Sequence, residues 1–253
     1  MRINLFFICF FTALAAGAQP GTYTVQNAHS HNDYEQERPF WEAYNHGFGS
    51  IEADVFLVNG RLPVAHNAKD IRFGNDLKKL YLNPLQECIR KNGGSVYKDS
   101  AKKLLLLIDC KTEGGSTLKA IIAQVEQYPA IIQNKSIRIV ITGNQPNKDS
   151  LFAYPAFIGF DGDLTHTYTP ENLARVALFS ANFKNYSKWN GAGAPDSASK
   201  AALINAIRIA DRAQKPIRFW GAPDNAEAWS VLQKLGVGYL NTDKIEELSA
   251  YLK

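Results

Sequence analysis

Strand-like and helix-like runs alternate along almost the whole chain, and this alternation restricts the fold more than any other feature. The run LLLLIDC at 104–110 is apolar almost throughout, the pattern of a strand buried on both faces. Segments 23–28, 50–56, 104–109, 137–142, 157–161, 176–180, 216–220 and 238–241 make eight β-prone runs. Helical patterns lie between most of them. Leu118, Ile121, Ile122 and Val125 share a face over 117–127, as do Leu203, Ile204, Ile207 and Ala210 over 199–213. Thr169 precedes Pro170 as a helix cap, and Gly47 stops a short helix over 39–46. The turn Asn59-Gly60 sends 61–66 back as a second strand beside 50–58. Alternating elements imply a parallel sheet, and eight strands suggest closure. The expected fold is α/β, a single (β/α)8 TIM-type barrel over residues 19–253, close to the usual size of about 250 residues.

Residues 1–18 are read separately. Arg2 is followed by an apolar run to Ala15 and by the small residues Ala16-Gly17-Ala18, the pattern of a secretory signal peptide. The run is short of the roughly 20 residues a membrane span needs. The sequence reading is therefore an exported, periplasmic or extracellular chain with no stable membrane anchor. The net charge of +4 comes without a Lys/Arg tract, which argues against nucleic acid as a partner. Beyond the leader only Cys88 and Cys110 remain, and their spacing requires neither a disulfide nor a metal site.

In barrels of this kind catalytic groups sit at the C-terminal ends of the strands. His29 and His31 follow the first strand, Glu52 and Asp54 lie on the second, and His66 follows the hairpin. Asp109 and Lys111 end the third strand, Asn144 follows the fourth, Asp161 and Asp163 the fifth, Trp220 the seventh and Asp243 the eighth. Glu52 and Asp54 share a side of their strand, and two like charges in a barrel are costly unless a cation neutralises them. The competing reading is an acidic face in water. With Asp109 they would make an all-oxygen site suited to Mg²⁺ or Ca²⁺ and poorly suited to zinc. Lys111 shares the inward parity of Asp109 and could hold an anionic substrate, or could be a loop lysine. Trp220 walls a substrate pocket or fills the core. Asp161 and Asp163 could add ligands or cap a turn, and are left outside the metal site.

These residues carry a family resemblance. His29 after Ala28, then GFGSIEADVFLVNGRLPVAHN at 47–67, LLIDCK at 106–111, FWGAPDN at 219–225 and LGVGYLNTD at 235–243 resemble the glycerophosphodiester phosphodiesterases. These enzymes belong to the wider phosphatidylinositol-phospholipase-C-like barrels. The opening here is His-Ser-His-Asn-Asp-Tyr in place of the family's His-Arg-Gly, similar to an uncharacterised branch, and the third acid is Asp109. The resemblance implies metal-assisted cleavage of a small phosphodiester, of glycerophosphodiester or phospholipid-headgroup type, by a monomer. Glu52, Asp54 and Asp109 would hold the divalent cation. A strand-one histidine, His29 or His31, and His66 would act as base and acid. Lys111, Asn144 and Trp220 would bind substrate. The Ala-His pair aligns His29, whereas distance to Glu52 suits His31. Two alternatives stand beside this. One is a PHP- or amidohydrolase-type metal hydrolase with the His-x-His pair as ligands; the other is a non-catalytic barrel that binds a sugar or phosphate.

Overall fold

The computed structural model describes residues 20–253. The expected leader lies outside the described residues. Among those described, no helix is long and apolar enough to cross a membrane.

Eight parallel strands run in the order β7-β6-β5-β4-β3-β2-β1-β8. They are β1 (Ala28–Ser30), β2 (Ser50–Val55), β3 (Leu104–Cys110), β4 (Ile137–Gly143), β5 (Ile158–Gly162), β6 (Val176–Asn182), β7 (Ile217–Trp220) and β8 (Leu240–Thr242). The ring closes between β7 and β8 through one parallel bridge, Arg218 to Tyr239, with the Tyr239 amide donating to the Ile217 carbonyl at 3.0 Å. The expected (β/α)8 barrel is therefore present.

Eight α-helices complete it: α1 (Trp41–His46), α2 (Asn83–Lys91), α3 (Gly114–Val125), α4 (Pro129–Ile132), α5 (Pro170–Arg175), α6 (Ser197–Arg212), α7 (Ala226–Leu235) and α8 (Ile245–Tyr251). Their ends follow local chemistry. The Thr169 hydroxyl caps α5, Asp196 caps α6 and Asn225 caps α7, each accepting from a first-turn backbone amide. Glu113, rather than Asp109, caps α3, which leaves the Asp109 carboxylate free for the barrel rim.

Strand parity sorts the core into two layers. Outward residues such as Ile51, Ala53, Leu106, Ile108, Ile139 and Ile141 pack into the large apolar cluster under the helices. Inside the ring the apolar filling is small: Leu107, Val140 and Leu178, with Leu105, Ala177 and Tyr239 against them. Above that plug the inward positions turn polar.

Two local expectations differ. β1 begins at Ala28 rather than residue 23, because residues 25–27 form a 3-10 turn locked by a capping box between Thr24 and Asn27. Segment 61–66 is not a ladder strand. It touches its neighbours only through the single bridges Val55–Val64, Val58–Arg61 and Pro63–Asp76. Cys88 and Cys110 are both buried free thiols, and burial pushes the Cys110 thiol up to about 12.

Candidate active site

The C-terminal rim opens into a cavity of about 780 Å³. Its wall includes His31, Glu52, Asp54, His66, Asp109, Lys111, Asn144 and Trp220, so eight of the nine residues to which the resemblance gives a role meet here. His29 is the exception. It is fully buried beneath the wall.

The register explains the carboxylates. Asp54 of β2 stands level with Asp109 of β3, and Glu52 sits one inward step deeper. The three offer oxygen atoms that lie within 4.8 Å of one another. Lys111 reaches between two of them, with Nζ 2.8 Å from Asp54 Oδ2 and 2.8 Å from Asp109 Oδ2. Asp54 Oδ1 is buried and has no hydrogen-bond partner. Burial raises the Asp54 carboxyl to about 6, against the lowering pull of Lys111, and Asp109 and Glu52 add to the rise. A close-set, all-oxygen cluster with an unpartnered buried oxygen fits a hard divalent cation. Gly143 makes the arrangement possible. Its φ is +71°, and a Cβ there would lie 1.8 Å from Asp109 Oδ1. Any side chain at Gly143 would displace the third acid.

The two strand-one histidines diverge. His29 Nδ1 lies 2.8 Å from the Ser50 hydroxyl and Nε2 lies 2.8 Å from Glu52 Oε2. Burial and the charge of Arg218 push its pKa down to about 3, so the ring is neutral. His31 lines the cavity, and its Nδ1 lies 2.8 Å from Asp243 Oδ1. Burial acts to lower the His31 pKa, but the Asp243 hydrogen bond and the charges of Glu52 and Asp243 outweigh it, and the net shift is upward. Among the described residues, neither histidine belongs to a cluster of three or more potential ligand atoms within 4.8 Å of one another. Asp243 is itself positioned by Asp224 in the β7–α7 loop. Asp224 Oδ2 accepts from the Asp243 amide and the Thr242 hydroxyl, each at 3.0 Å.

Asp33 and Tyr34 of the opening motif are scaffold, while Asn32 lies in the cavity wall. Asp33 is fully buried and accepts from the Ser30 hydroxyl at 2.9 Å, the Phe40 amide at 2.6 Å and the Tyr81 hydroxyl at 3.0 Å. Tyr34 donates to Asp54 Oδ2 at 2.7 Å, and its oxygen lies 3.1 Å from His66 Nδ1. His66 Nδ1 is also 3.5 Å from Asp54 Oδ2. Tyr34 thereby ties the second histidine to the carboxylate cluster. The Asn144 amide donates to the Cys110 carbonyl at 2.9 Å, which holds the β4 loop against β3.

Sequence reasoning missed Arg218. It is 3% exposed and sits inside the barrel. Its Nε donates to the Ser180 hydroxyl at 2.7 Å, and Nη1 donates to Glu52 Oε2 and, at 3.2 Å, to Asn241 Oδ1. Burial opposes ionisation of Glu52, but Arg218 and His29 outweigh it and hold the carboxyl well below its usual range. The signal was parity: Arg218 shares a strand face with Trp220. Asp161, read from sequence as either an added ligand or a turn cap, is an inward β5 residue, 4% exposed, in the cavity wall.

Comparison with known proteins gives a consistent picture. The profile of the AIM6-like phosphodiesterase domain matches residues 21–150, and that of the glycerophosphoryl diester phosphodiesterase family matches residues 216–246. Altered inheritance of mitochondria protein 6 of Eremothecium gossypii is 28% identical over 273 residues, covering 90% of this chain and 69% of that protein. A homolog of that protein from Arthroderma benhamiae is 27% identical over 265 residues, covering 88% of this chain and 82% of its own length. A glycerophosphodiester phosphodiesterase from Parabacteroides distasonis superposes with a TM-score of 0.57 at 14% identity, covering 92% of this chain and 98% of that one. At that identity the likeness shows the shared fold.

Proposed function

The chain belongs to the AIM6-like phosphodiesterase domain family, and we propose that it is an exported, metal-dependent phosphodiesterase that acts on small glycerophosphodiester or phospholipid-headgroup esters. One observation carries this reading: two histidines flank a three-carboxylate cluster with a lysine, all in the wall of one cavity. The leader-like pattern of residues 1–18 supports export.

Glu52, Asp54 and Asp109 would hold Mg²⁺ or Ca²⁺. When bound, the cation would offset the charge that develops on the phosphoryl oxygens. Lys111, already at the cluster, binds the phosphate as a point charge. His31 is the base. Asp243 accepts its Nδ1 proton and so leaves Nε2 unprotonated to take a proton from a hydroxyl or water. His66 is the acid. Its Nδ1 is held by Tyr34 and Asp54, which leaves Nε2 to protonate the leaving oxygen. His29 touches no substrate in this scheme; it positions Glu52.

The test is turnover of a phosphodiester panel by the purified protein with magnesium, calcium or EDTA. Cation-dependent cleavage is expected. His66→Ala should keep the far-ultraviolet spectrum and lose about 10²-fold or more in kcat. EDTA-insensitive cleavage would remove the metal, and wild-type kcat in the variant would remove His66.

The pH profile tests His31 separately. A base must be neutral to act, and the His31 pKa is raised above its ordinary value of 6.5. Activity should therefore rise with pH along an acid limb placed above that value. Asp243→Asn takes away the bond that favours the imidazolium, so the limb should move to lower pH while the maximal rate falls. A limb that stays in place would mean that another group titrates there.

A further inference from the structure

Among the described residues, the large apolar side chain most open to solvent belongs to the loop that follows β2. Phe73 is 93% exposed, and Val58 of the same loop is 40% exposed. The Arg61 guanidinium carbon lies 5.5 Å from the Phe73 ring centroid, a contact that holds the ring beside a cation. With them runs a cleft of about 620 Å³, walled by Val58, Ile71 and Phe73 together with Arg61 and Arg72. A Cβ at Gly74 would come 3.9 Å from Lys79 Nζ, so a further cation reaches the same place. The loop is tied to the end of β2. The Ala65 amide donates to the Asp54 carbonyl at 3.2 Å, and the Leu77 amide to the Leu62 carbonyl at 3.0 Å.

Charge selects the occupant. From Val58 to Lys79 the chain carries Arg61, Lys69, Arg72, Lys78 and Lys79 against Asp70 and Asp76, a balance of +3 in a chain whose total is +4. The two acids are engaged locally: Asp70 Oδ2 accepts from Asn67 Nδ2 at 2.9 Å, and Asp76 Oδ1 from the Lys79 amide at 2.8 Å. Among the described residues, no carboxylate forms a salt bridge with any of the five cations. A stable protein interface takes about 800 Å² from each side, and two exposed apolar side chains fall well short of its core. A second copy would set the same cations against themselves. A lipid surface needs what this loop offers: a ring to enter the boundary between headgroups and acyl chains, and cations beside it for anionic headgroups. We propose that the loop of residues 58–79 docks the protein onto anionic lipid surfaces, with Phe73 inserted and Arg61, Arg72 and Lys79 against the headgroups. One ring and a few cations give a reversible, peripheral contact rather than a stable anchor. His66 of the cavity wall belongs to the same segment, so docking brings the cavity rim to the surface. None of this rests on the phosphodiesterase reading.

The test is co-sedimentation with sucrose-loaded vesicles of phosphatidylcholine, alone or with about 30% phosphatidylglycerol, in EDTA so that no metal-dependent cleavage alters the lipid. The protein is the chain from Gln19, which holds the whole barrel and omits the apolar run of residues 3–15. Wild type should bind the anionic vesicles about 10-fold or more tightly than the neutral ones, and high salt should remove the difference. Phe73→Ala should weaken binding to the anionic vesicles about 10-fold. Arg61→Gln combined with Arg72→Gln should weaken it about 25-fold, fivefold for each cation. All three side chains are exposed, so both variants should keep the wild-type thermal midpoint. Absence of binding, equal binding to the two vesicles, or binding unchanged in either variant would overturn the proposal. So would a Phe73-dependent dimer in sedimentation velocity without vesicle binding, which would assign the loop to a second copy. Turnover is scored apart. A protein that docks but cleaves no diester keeps the docking loop and loses the proposed activity; one that cleaves soluble diesters and ignores vesicles keeps the activity and loses the loop.

Discussion

Asp54→Asn is expected to lower turnover by about 10³-fold or more while leaving the barrel folded. The reason is the number of functions that meet on one carboxylate. Oδ2 is 2.8 Å from Lys111 Nζ, 2.7 Å from the Tyr34 hydroxyl and 3.5 Å from His66 Nδ1, while Oδ1 is the unpartnered oxygen offered to a cation. An amide of the same shape removes one of three anionic donors, releases Lys111 from one of its two anchors and weakens the hold on His66. The expected signature is a joint loss of kcat and of magnesium affinity, the second read by calorimetry. Asp109→Asn should weaken cation binding with less effect on kcat, because Asp109 makes no contact with Tyr34 or His66. Near-normal turnover in the Asp54 variant would take the carboxylate cluster out of the chemistry.

Arg218→Met should cost about 3–5 kcal/mol of stability, a fall in thermal midpoint of about 6–20 °C. Glu52 and Arg218 are each 3% exposed. Removing the cation leaves a carboxylate inside the barrel with only His29 to hold it, and an unpaired buried charge is among the costliest single defects a fold can carry. The partner variant separates this from a loss of packing. Glu52→Gln with Arg218→Met should recover much of the midpoint, since neither charge is then stranded. If the double variant melts no higher than Arg218→Met alone, the role of Arg218 is packing of its stem and not compensation of Glu52.

The alternation of apolar runs was enough to read the barrel, because buried parallel strands must be continuously apolar outward and helices must show a 3.6-residue stripe. Inward parity then placed Glu52, Asp54, Asp109 and Lys111 together correctly. What stayed hidden depends on contacts remote in sequence. Arg218 reads as a solvent-facing residue until its partner is known, and Glu52 is 166 residues away. The choice between His29 and His31 could not be made from parity, since both face inward. Depth separates them: Ser50 is level with His29 in the β1–β2 register and bonds its ring, whereas His31 lies past the strand end in the cavity wall. The acidic residue in the opening motif is a structural tie, which no local pattern announces. Asp33 has spent both oxygens on Ser30, Phe40 and Tyr81. The predicted return at 61–66 does reverse at Asn59-Gly60, with Arg61 opposite Val58 and Val64 opposite Val55, but it stays at isolated bridges because Pro63 has no amide to give.

The pairing of β1 with β8 sets the order in which the barrel can close. The strand made first, Ala28–Ser30, finds one of its two neighbours only when Leu240–Thr242 emerges, and the His31 amide then donates to the Thr242 carbonyl at 3.0 Å. Asp243, the partner of the His31 ring, comes one residue later. During synthesis every earlier strand can pair in sequence, but the ring stays open and its two edges stay unsatisfied until Leu240–Thr242 is made. A chain stopped before Leu240 therefore lacks both the second neighbour of β1 and the carboxylate that bonds the His31 ring.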